Sequence, residues 1–197
     1  MKKQFMALLI LFAATNFLSL TKAATPADND KVYTVEEIIE KAPTLVGQTV
    51  TVKGLVSHIC DKTGRKLFFA TADGTKSFRF NAGDKIDVFD ENAIDSTVIA
   101  TAVIVEQKVT MESLDKQEAA AIAAAEKAAK AAKVKKPVAA DHCTSEAKAN
   151  GESTTATPLQ NIQTLKAKLN KQIAEGKNNY LSFYNGAKCN EYKIVKK

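Results

Sequence analysis

The chain has 197 residues, a net charge of +6 at pH 7, three cysteines, two histidines and no tryptophan. This length provides for one domain with appendages. The charge is uneven, because residues 30–112 hold 10 Lys and Arg against 13 Asp and Glu, whereas residues 114–197 hold 15 against 8. The basic excess therefore lies outside the segment that resembles a folded domain, and a nucleic-acid surface on that domain is not indicated.

The first 23 residues have the pattern of a secretory signal. Lys2 and Lys3 precede the apolar run FMALLILFAATNFLSL, and Thr21-Lys-Ala23 places small residues where a signal peptidase cleaves. The apolar run is shorter than the roughly 20 residues of a membrane span, so a cleaved signal is favoured over a retained anchor. We therefore predict cleavage after Ala23 and a soluble protein in the periplasm or outside the cell, with no membrane span in the mature chain.

Composition divides the mature chain into three segments. Residues 30–112 are dense in Val, Ile and Phe with turn signals between them, which predicts a β-rich domain. Residues 113–156 are mostly Ala, Lys, Glu, Ser and Thr, and a segment with so few large apolar groups cannot form a core. Residues 157–197 recover an apolar pattern. The prediction is a β-rich domain, a helical and polar linker, and a small terminal element.

Within residues 30–112, local patterns predict a helix followed by strands. Thr34-Val-Glu-Glu37 is a capping box that begins a helix. LVGQTVTVKGLVSHIC alternates with a period of two, which predicts a half-buried strand, and Gly54 within it allows a bend between two sides of a small barrel. KLFFATADGTKSFRF predicts a hairpin that turns at Asp73-Gly74. DVFDENAID predicts a short connection, and STVIATAVIVEQKV predicts another long strand. This order predicts a mainly β fold, a five-stranded Greek-key barrel with an N-terminal helix.

The segments LVGQTVTVKGLV and HICDKTGRK carry a resemblance to a known group. From Tyr33 to about Val109 the chain resembles bacterial OB-fold proteins that are exported to the cell envelope and have no agreed activity. The resemblance implies an OB barrel and export. The wider OB family binds oligonucleotides, oligosaccharides, peptides or haem, so the resemblance implies binding without naming a ligand.

Four phenylalanines in the predicted hairpin allow two interpretations. Single-strand nucleic-acid binders of this fold display aromatic side chains and a basic groove on an exposed sheet face. Phe68, Phe69, Phe78 and Phe80 are available for this, with basic residues beside them. However, Phe78 and Phe80 share one face of their strand, which is the usual pattern of core residues. In an acidic, exported domain we favour the core interpretation.

The strand that ends at Cys60 carries the sharpest hypothesis about chemistry. Residues two apart share a face of a strand, so His58 and Cys60 are expected to continue the inward face at the mouth of the barrel. Imidazole and thiolate are preferred ligands of zinc and copper, but a closed zinc site usually has four ligands. His142 and Cys143 would complete a Cys₂His₂ set. A zinc or copper site from these four residues is therefore one hypothesis.

The cysteines also allow readings without a metal. In an oxidising compartment they tend to pair, and Cys143 with Cys189 is the most natural bridge. Cys60 would then be a buried free thiol, although a pairing through Cys60 stays open. A nucleophilic Cys60 activated by His58 is a third reading, but the sequence offers no third group to orient the pair.

The remaining segments predict helices and a terminal hairpin. DKQEAAAIAAAEKAAKAAKVKKP has strong helix propensity and no apolar stripe, which predicts a solvated spacer helix ending before Pro137. Thr157 with Pro158 begins another helix, and Gly176 ends it. YLSFYNGAKCNEYKIV predicts two strands around Asn185-Gly186, a hairpin that packs on its own helix, extends the barrel sheet or completes a second unit.

The function that the sequence favours is ligand or partner binding without catalysis. We find no paired carboxylate motif, nucleophile elbow, phosphate loop or complete triad. The binding groove is expected near the Gly64-Arg65-Lys66 turn, with Arg65 and Lys66 as ligand-binding residues. The expected partner is an envelope protein or a small ligand, and no cofactor is called for unless zinc or copper binds. Metal binding through His58 and Cys60, and oligonucleotide binding, are the alternatives.

Overall fold

The computed structural model describes residues 31–131, 149–150 and 156–196. Its strands are β1 (Val32–Tyr33), β2 (Thr49–Ile59), β3 (Lys66–Ala70), β4 (Ser77–Ala82), β5 (Thr97–Thr110) and β6 (Tyr180–Lys196). Its helices are α1 (Val35–Lys41), α2 (Met111–Ala131) and α3 (Pro158–Ala174), with 3₁₀ turns at Ala42–Thr44 and Glu91–Ala93. Within these residues, no helix has both the length and the apolar character to cross a bilayer. The predicted signal peptide lies outside them.

Among the described strands, β2, β3, β4, β6 and β5 close into a barrel in that order, because β5 pairs back onto β2. Neighbouring strands are antiparallel except for β4 and β6, which are parallel. Strand β2 serves two sides of the barrel, since residues 49–55 pair with β5 and residues 55–59 pair with β3. This change of partner lies next to Gly54, as its position in the alternating strand predicts. The closed barrel is consistent with an OB-type barrel.

The barrel interior is filled by apolar side chains. Val50, Val52 and Val56 of β2 point inward, as the alternation predicts, and all three are buried. The rings of Phe69 and Phe80 meet edge to face with their centroids 5.2 Å apart in the same cluster. A barrel of this size is closed by its own side chains, so the interior offers no room for a ligand.

A β-bulge in β2 overturns part of the predicted alternation. The pairing with β3 shifts between Val56 and His58, so Ser57 is an extra residue in the ladder. Beyond the bulge, His58 pairs with Phe68 on the outer face, and Ile59 takes the interior position. The prediction that His58 continues the inward line was therefore wrong. A one-residue slip moves every following side chain to the other face of the strand.

The predicted terminal hairpin was also wrong. Residues 180–196 form one continuous strand, β6, in which Asn185 pairs with Val105 and Gly186 pairs with Ile104. Strand β6 also pairs with β4, so the barrel combines strands from residues 49–110 with one from the predicted terminal segment. Gly186 meets a packing requirement, because a Cβ there would lie 2.5 Å from the Phe80 ring. The predicted domain boundaries stay predictions.

Helices α2 and α3 pack on the end of the β5–β6 ribbon and form a second core. Val109 and Leu181 of the ribbon are buried against Leu114 of α2 and against Leu165 and Leu169 of α3. The beginning of α2 is therefore packed, whereas most of the side chains described beyond Leu114, up to residue 127, are exposed, as expected of a spacer.

Ion pairs join α3 to α2, and a predicted cap begins α3. Lys166 bridges to Asp115 at 2.6 Å and to Glu118 at 2.5 Å, which joins α3 to α2. Helix α3 begins as predicted, because Thr157 and Gln160 form a reciprocal capping box ahead of Pro158.

Candidate functional site: a cleft beside the turn after strand β2

A cleft of about 790 Å³ opens between residues 59–64, at and after the end of β2, and residues 88–94, ahead of β5. We refer to it as the mouth cleft. Ile59, Phe89 and Ile94 provide apolar surface, and the exposed side chain of Val88 stands at its edge. The mouth cleft lies next to the Gly64-Arg65-Lys66 turn, where the sequence predicts a groove.

Hydrogen bonds from the turn hold the two walls of the mouth cleft together. The Phe89 amide donates to the Gly64 carbonyl at 2.8 Å. The Arg65 guanidinium donates to the Asp87 carbonyl at 2.8 Å and to the Gly83 carbonyl at 3.2 Å. Gly64 has φ of +63°, and a Cβ there would lie 2.9 Å from the Val88 side chain. The close approach of the walls therefore needs glycine at this position.

The second wall is ordered by a short capped turn. The Asp90 carboxylate accepts from the Asn92 amide at 2.9 Å and begins the 3₁₀ turn Glu91–Ala93. The Asp90 amide donates to the Tyr192 hydroxyl at 3.0 Å, and the Tyr192 ring meets the Phe89 ring edge to face at 5.3 Å. Strand β6 thus supports the wall from behind, so the mouth cleft is a preformed feature.

Of the predicted pair on β2, Cys60 belongs to the mouth cleft. Cys60 follows the end of β2 and is 7% exposed. Its amide donates to the Lys66 carbonyl at 2.9 Å, and its carbonyl accepts from the Gly64 amide at 2.7 Å. This matches the reading of Cys60 as a buried thiol beside a turn. Its side chain is absent from the barrel-core cluster of the described residues.

His58 lies on the outer face of the barrel. Its ring is half-buried and tilted against the Phe68 ring, with 5.7 Å between the ring centroids. Phe68 is fully buried but belongs to neither of the described core clusters. The bulge at Ser57 therefore gives His58 an aromatic neighbour on the outside instead of a place at the inner mouth.

The four-ligand metal hypothesis stays a prediction. His142 and Cys143 lie outside the described residues. In the part of the chain that the structure does describe, no three His, Cys, Asp or Glu side chains converge on a common point. His58 and Cys60 are thus placed as two candidate ligands without a described third.

Cys189 is buried in β6 and forms no disulfide with another described residue. It is fully buried within the barrel core, and its Sγ lies 3.5 Å from the Glu191 carbonyl oxygen. Burial raises the pKa of the Cys189 thiol to about 11. Its predicted partner Cys143 lies outside the described residues, so the bridge between them stays a prediction.

Arg65 and Lys66, the predicted ligand-binding residues, are not among the described residues that line the mouth cleft. The Arg65 guanidinium is directed to the backbone carbonyls of Gly83 and Asp87, ahead of the second wall. Lys66 begins β3, half-buried, and its carbonyl accepts from Cys60. Arg65 therefore positions the wall of the cleft.

Sequence reasoning missed residues 88–94 as part of a site. The stretch DVFDENAID predicts a connection, and its one unusual feature is an apolar pair, Val88 and Phe89, between acidic residues. That pattern does not predict that the Phe89 side chain is buried and the Val88 side chain exposed. Only the contact with the distant turn at Gly64 brings the wall to the mouth cleft.

Comparison of the chain with models of protein families, with curated proteins and with solved structures gave no match.

Proposed function

We propose that the protein is an exported, non-catalytic binding module of the OB type, and that it binds its partner at the mouth cleft. The observation that carries this proposal is the preformed cleft beside the predicted turn, with the bond from Phe89 to Gly64 joining its walls and Arg65 bonded to Gly83 and Asp87 just ahead of the second wall. Export is proposed from the signal pattern of residues 1–23. Membership of the exported OB-fold group is proposed from the resemblance over residues 33–109.

The packing of the barrel supports binding on the outside. Phe69 and Phe80 fill the interior together with the β2 valines, so a ligand has to use a surface. Recognition sites are commonly concave, largely preformed and mostly apolar with a few polar groups. The mouth cleft is concave, and its lining combines apolar side chains with a comparable polar surface to which Thr63 and Asn92 contribute.

The oligonucleotide alternative has less support from the described side chains. Phe68, Phe69, Phe78 and Phe80 are each at most 3% exposed, so none of them presents a ring face for a base to stack on. The four phenylalanines instead serve the packing of the barrel and of its outer face. This favours a partner other than single-stranded nucleic acid.

Metal binding remains a second proposal, supported by the two candidate ligands His58 and Cys60. Native mass spectrometry of the mature protein from the envelope tests it. A bound zinc or copper ion that is lost in His58→Ala and in Cys60→Ser would support the metal site. A mass without metal, lowered by one disulfide, would instead support the bridge between Cys143 and Cys189.

Site-specific photo-crosslinking tests the mouth cleft as the binding surface. A photoreactive amino acid replaces Val88, which is 59% exposed at the cleft, or Leu55, which is 48% exposed on the outer face of β2. We expect a discrete crosslinked partner from position 88 and none from position 55 when full-length protein is irradiated in its own cells.

A further substitution connects the crosslink to the shape of the cleft. Arg65→Gln removes the guanidinium that donates to the Asp87 and Gly83 carbonyls. The yield of the crosslinked adduct at position 88 is therefore expected to fall while the protein stays folded. Equal crosslinking from positions 88 and 55, or an adduct that Arg65→Gln leaves unchanged in folded protein, would contradict the proposal.

A further inference from the structure

We infer that the partner presents a basic peptide segment, whose lysine or arginine side chain lies in the mouth cleft. The inference rests on the binding function proposed above and names the chemistry of the ligand. It follows from two properties of the cleft, its apolar surface and the sign of the charges along its rim.

The apolar surface suits a hydrocarbon stem. The half-buried Ile94 and the largely exposed Val88 supply the accessible apolar surface, while Ile59 and Phe89 line the cleft from buried positions. A large apolar side chain that stays exposed beside a groove offers area to a ligand, because covering it removes apolar surface from water. Such walls favour a ligand with aliphatic groups over a fully polar one.

The charged groups along the rim are all acidic. Asp61, Asp90 and Glu91 line the mouth cleft, and no Lys or Arg belongs to its described lining. The carboxylates of Asp61 and Glu91 have no hydrogen bond or ion pair with other described residues. The Asp90 carboxylate uses one oxygen, Oδ1, to accept from the Asn92 amide and side chain. Three carboxylates thus face the cleft without a described cation to neutralise them.

The two cations beside the first wall along the chain, Lys62 and Arg65, do not belong to the described lining of the mouth cleft. Arg65 places its guanidinium on the carbonyls of Gly83 and Asp87, and its side chain is not part of the described lining. An anionic ligand such as a phosphate or a carboxylate would meet like charge on the rim. A cationic ligand meets complementary charge.

Lysine and arginine side chains combine an aliphatic stem with a positive charge, which match the apolar surface and the acidic rim of the mouth cleft. They bury their methylene stems along apolar surface while the charged group stays at the rim in water. Thr63 and Asn92 add hydrogen-bonding groups beside the walls, which a peptide backbone on either side of the basic residue can use. A peptide segment with a basic residue between apolar neighbours therefore fits better than a free inorganic cation.

Peptide titration of the full mature chain, followed by amide chemical shifts, tests the inference. The probes are acetylated, amidated Gly-Leu-Lys-Leu-Gly and two matched peptides with norleucine or glutamate in place of lysine. We expect the lysine peptide to shift signals of residues 59–64 and 88–94 in a saturable manner. The norleucine peptide should bind more weakly, and the glutamate peptide should give no shift.

Charge substitutions on the protein provide the matched control. The double substitution Asp61→Asn with Glu91→Gln should lower the affinity for the lysine peptide by roughly three- to tenfold, since each exposed ion pair contributes little binding energy. Glu40→Gln with Glu126→Gln removes the same charge from exposed positions outside the mouth cleft and should leave the affinity unchanged. Thermal melting of both double variants establishes that they are folded.

The remaining outcomes separate this inference from the proposed function. Equal binding of the lysine and norleucine peptides at residues 59–64 and 88–94 would overturn the inference and leave the mouth cleft as a binding site. Absence of any shift, with the crosslink from position 88 intact, would also overturn the inference alone. Absence of both the shifts and the crosslink would overturn the inference together with the proposed function.

Discussion

Gly186 of β6 packs directly against the ring of Phe80 on β4. A Cβ built on Gly186 would lie 2.5 Å from Phe80 Cδ1, 2.6 Å from Phe80 Cε1 and 3.0 Å from Ala102 Cβ. Phe80 is fully buried and meets Phe69 edge to face, so its ring has little freedom to move. The parallel contact between β4 and β6, which closes the barrel, therefore depends on a residue without a side chain.

Gly186→Ala should destabilise the protein. Overpacking of a filled core costs about 1–3 kcal/mol, which is more than the 0.5–1 kcal/mol that alanine gains over glycine within a strand. Urea unfolding measures the change in the free energy of unfolding. Phe80→Leu provides space at the same place, so the double variant should lose less stability than the two single losses together. A more stable Gly186→Ala protein would contradict this account of barrel closure.

Cys189 should resist thiol reagents in the native protein. Its side chain is fully buried, and its pKa of about 11 keeps the thiol protonated at pH 8, whereas the thiolate is the form that reacts. Alkylation followed by peptide mass analysis should show Cys189 labelled only as fast as the barrel opens. Reduced protein in denaturant is the control and should react fully within the same time. Rapid native labelling of Cys189 would contradict its place in the core.

Lys166→Gln should loosen α2 from α3 without disturbing the barrel. The bridges to Asp115 and Glu118 are lost, and the same two carboxylates raise the pKa of Lys166 in the folded protein. Hydrogen exchange is expected to become faster in the first turns of α2 and to stay unchanged in β2 and β3. Lys168→Gln is the matched control, since Lys168 is exposed on the same helix and has no described ion pair. Unchanged exchange in α2 would show that apolar packing alone holds the two helices.

The ionised carboxylate of Asp73 should stabilise the β3–β4 turn at neutral pH but not at low pH. Its carboxylate accepts from the Thr71 hydroxyl at 2.6 Å and from the amide and hydroxyl of Thr75, which lowers its pKa from 3.8 to about 2. A pKa that is lower in the folded state adds stability above pH 4, and this stability is lost as the pH falls toward 2. Asp73→Asn should therefore be less stable than the wild type at pH 7 and nearly equal to it at pH 2.

Urea midpoints at pH 7, 4 and 2 measure this difference. Asp84→Asn is the control, because Asp84 is exposed and has no described hydrogen bond or ion pair. It should shift the midpoint little at any of these values. A difference between wild type and Asp73→Asn that stays constant from pH 7 to pH 2 would mean that the variant acts through something other than the charge of Asp73.

The correct sequence predictions concern local patterns. The capping box at Thr34 and the helix start at Thr157 form as predicted, because their bonds join residues three apart. The hairpin turn at Asp73-Gly74 forms as well, and Gly74 has φ of +67°. The alternation in β2 correctly identified the inward valines up to Val56. Each of these features depends on neighbours along the chain, which the sequence contains.

The candidate site was predictable only in part. The sequence pointed to the turn at Gly64 and to Cys60 beside it, but it placed His58 on the wrong face. The shift between Val56 and His58 is a property of the pairing with β3, and nothing within β2 alone specifies where two strands fall out of register. The second wall at Val88 was missed for the same reason, since its position depends on a contact with a distant turn.

The sequence by itself determined the strand periodicity, the helix caps, and an acidic barrel segment followed by a basic tail, since these are local or compositional properties. Tertiary structure decided the position of Asn185-Gly186, a strong hairpin signal that instead lies within one continuous strand, β6. Burial of Phe80 between β3 and β6 requires a glycine there, and Gly186 pairs with both Phe80 of β4 and Ile104 of β5 instead of turning the chain back. Such pairing overrides a local turn preference, because many contacts between distant residues outweigh one dipeptide. The mouth cleft has the same origin, because its two walls meet only when the barrel closes.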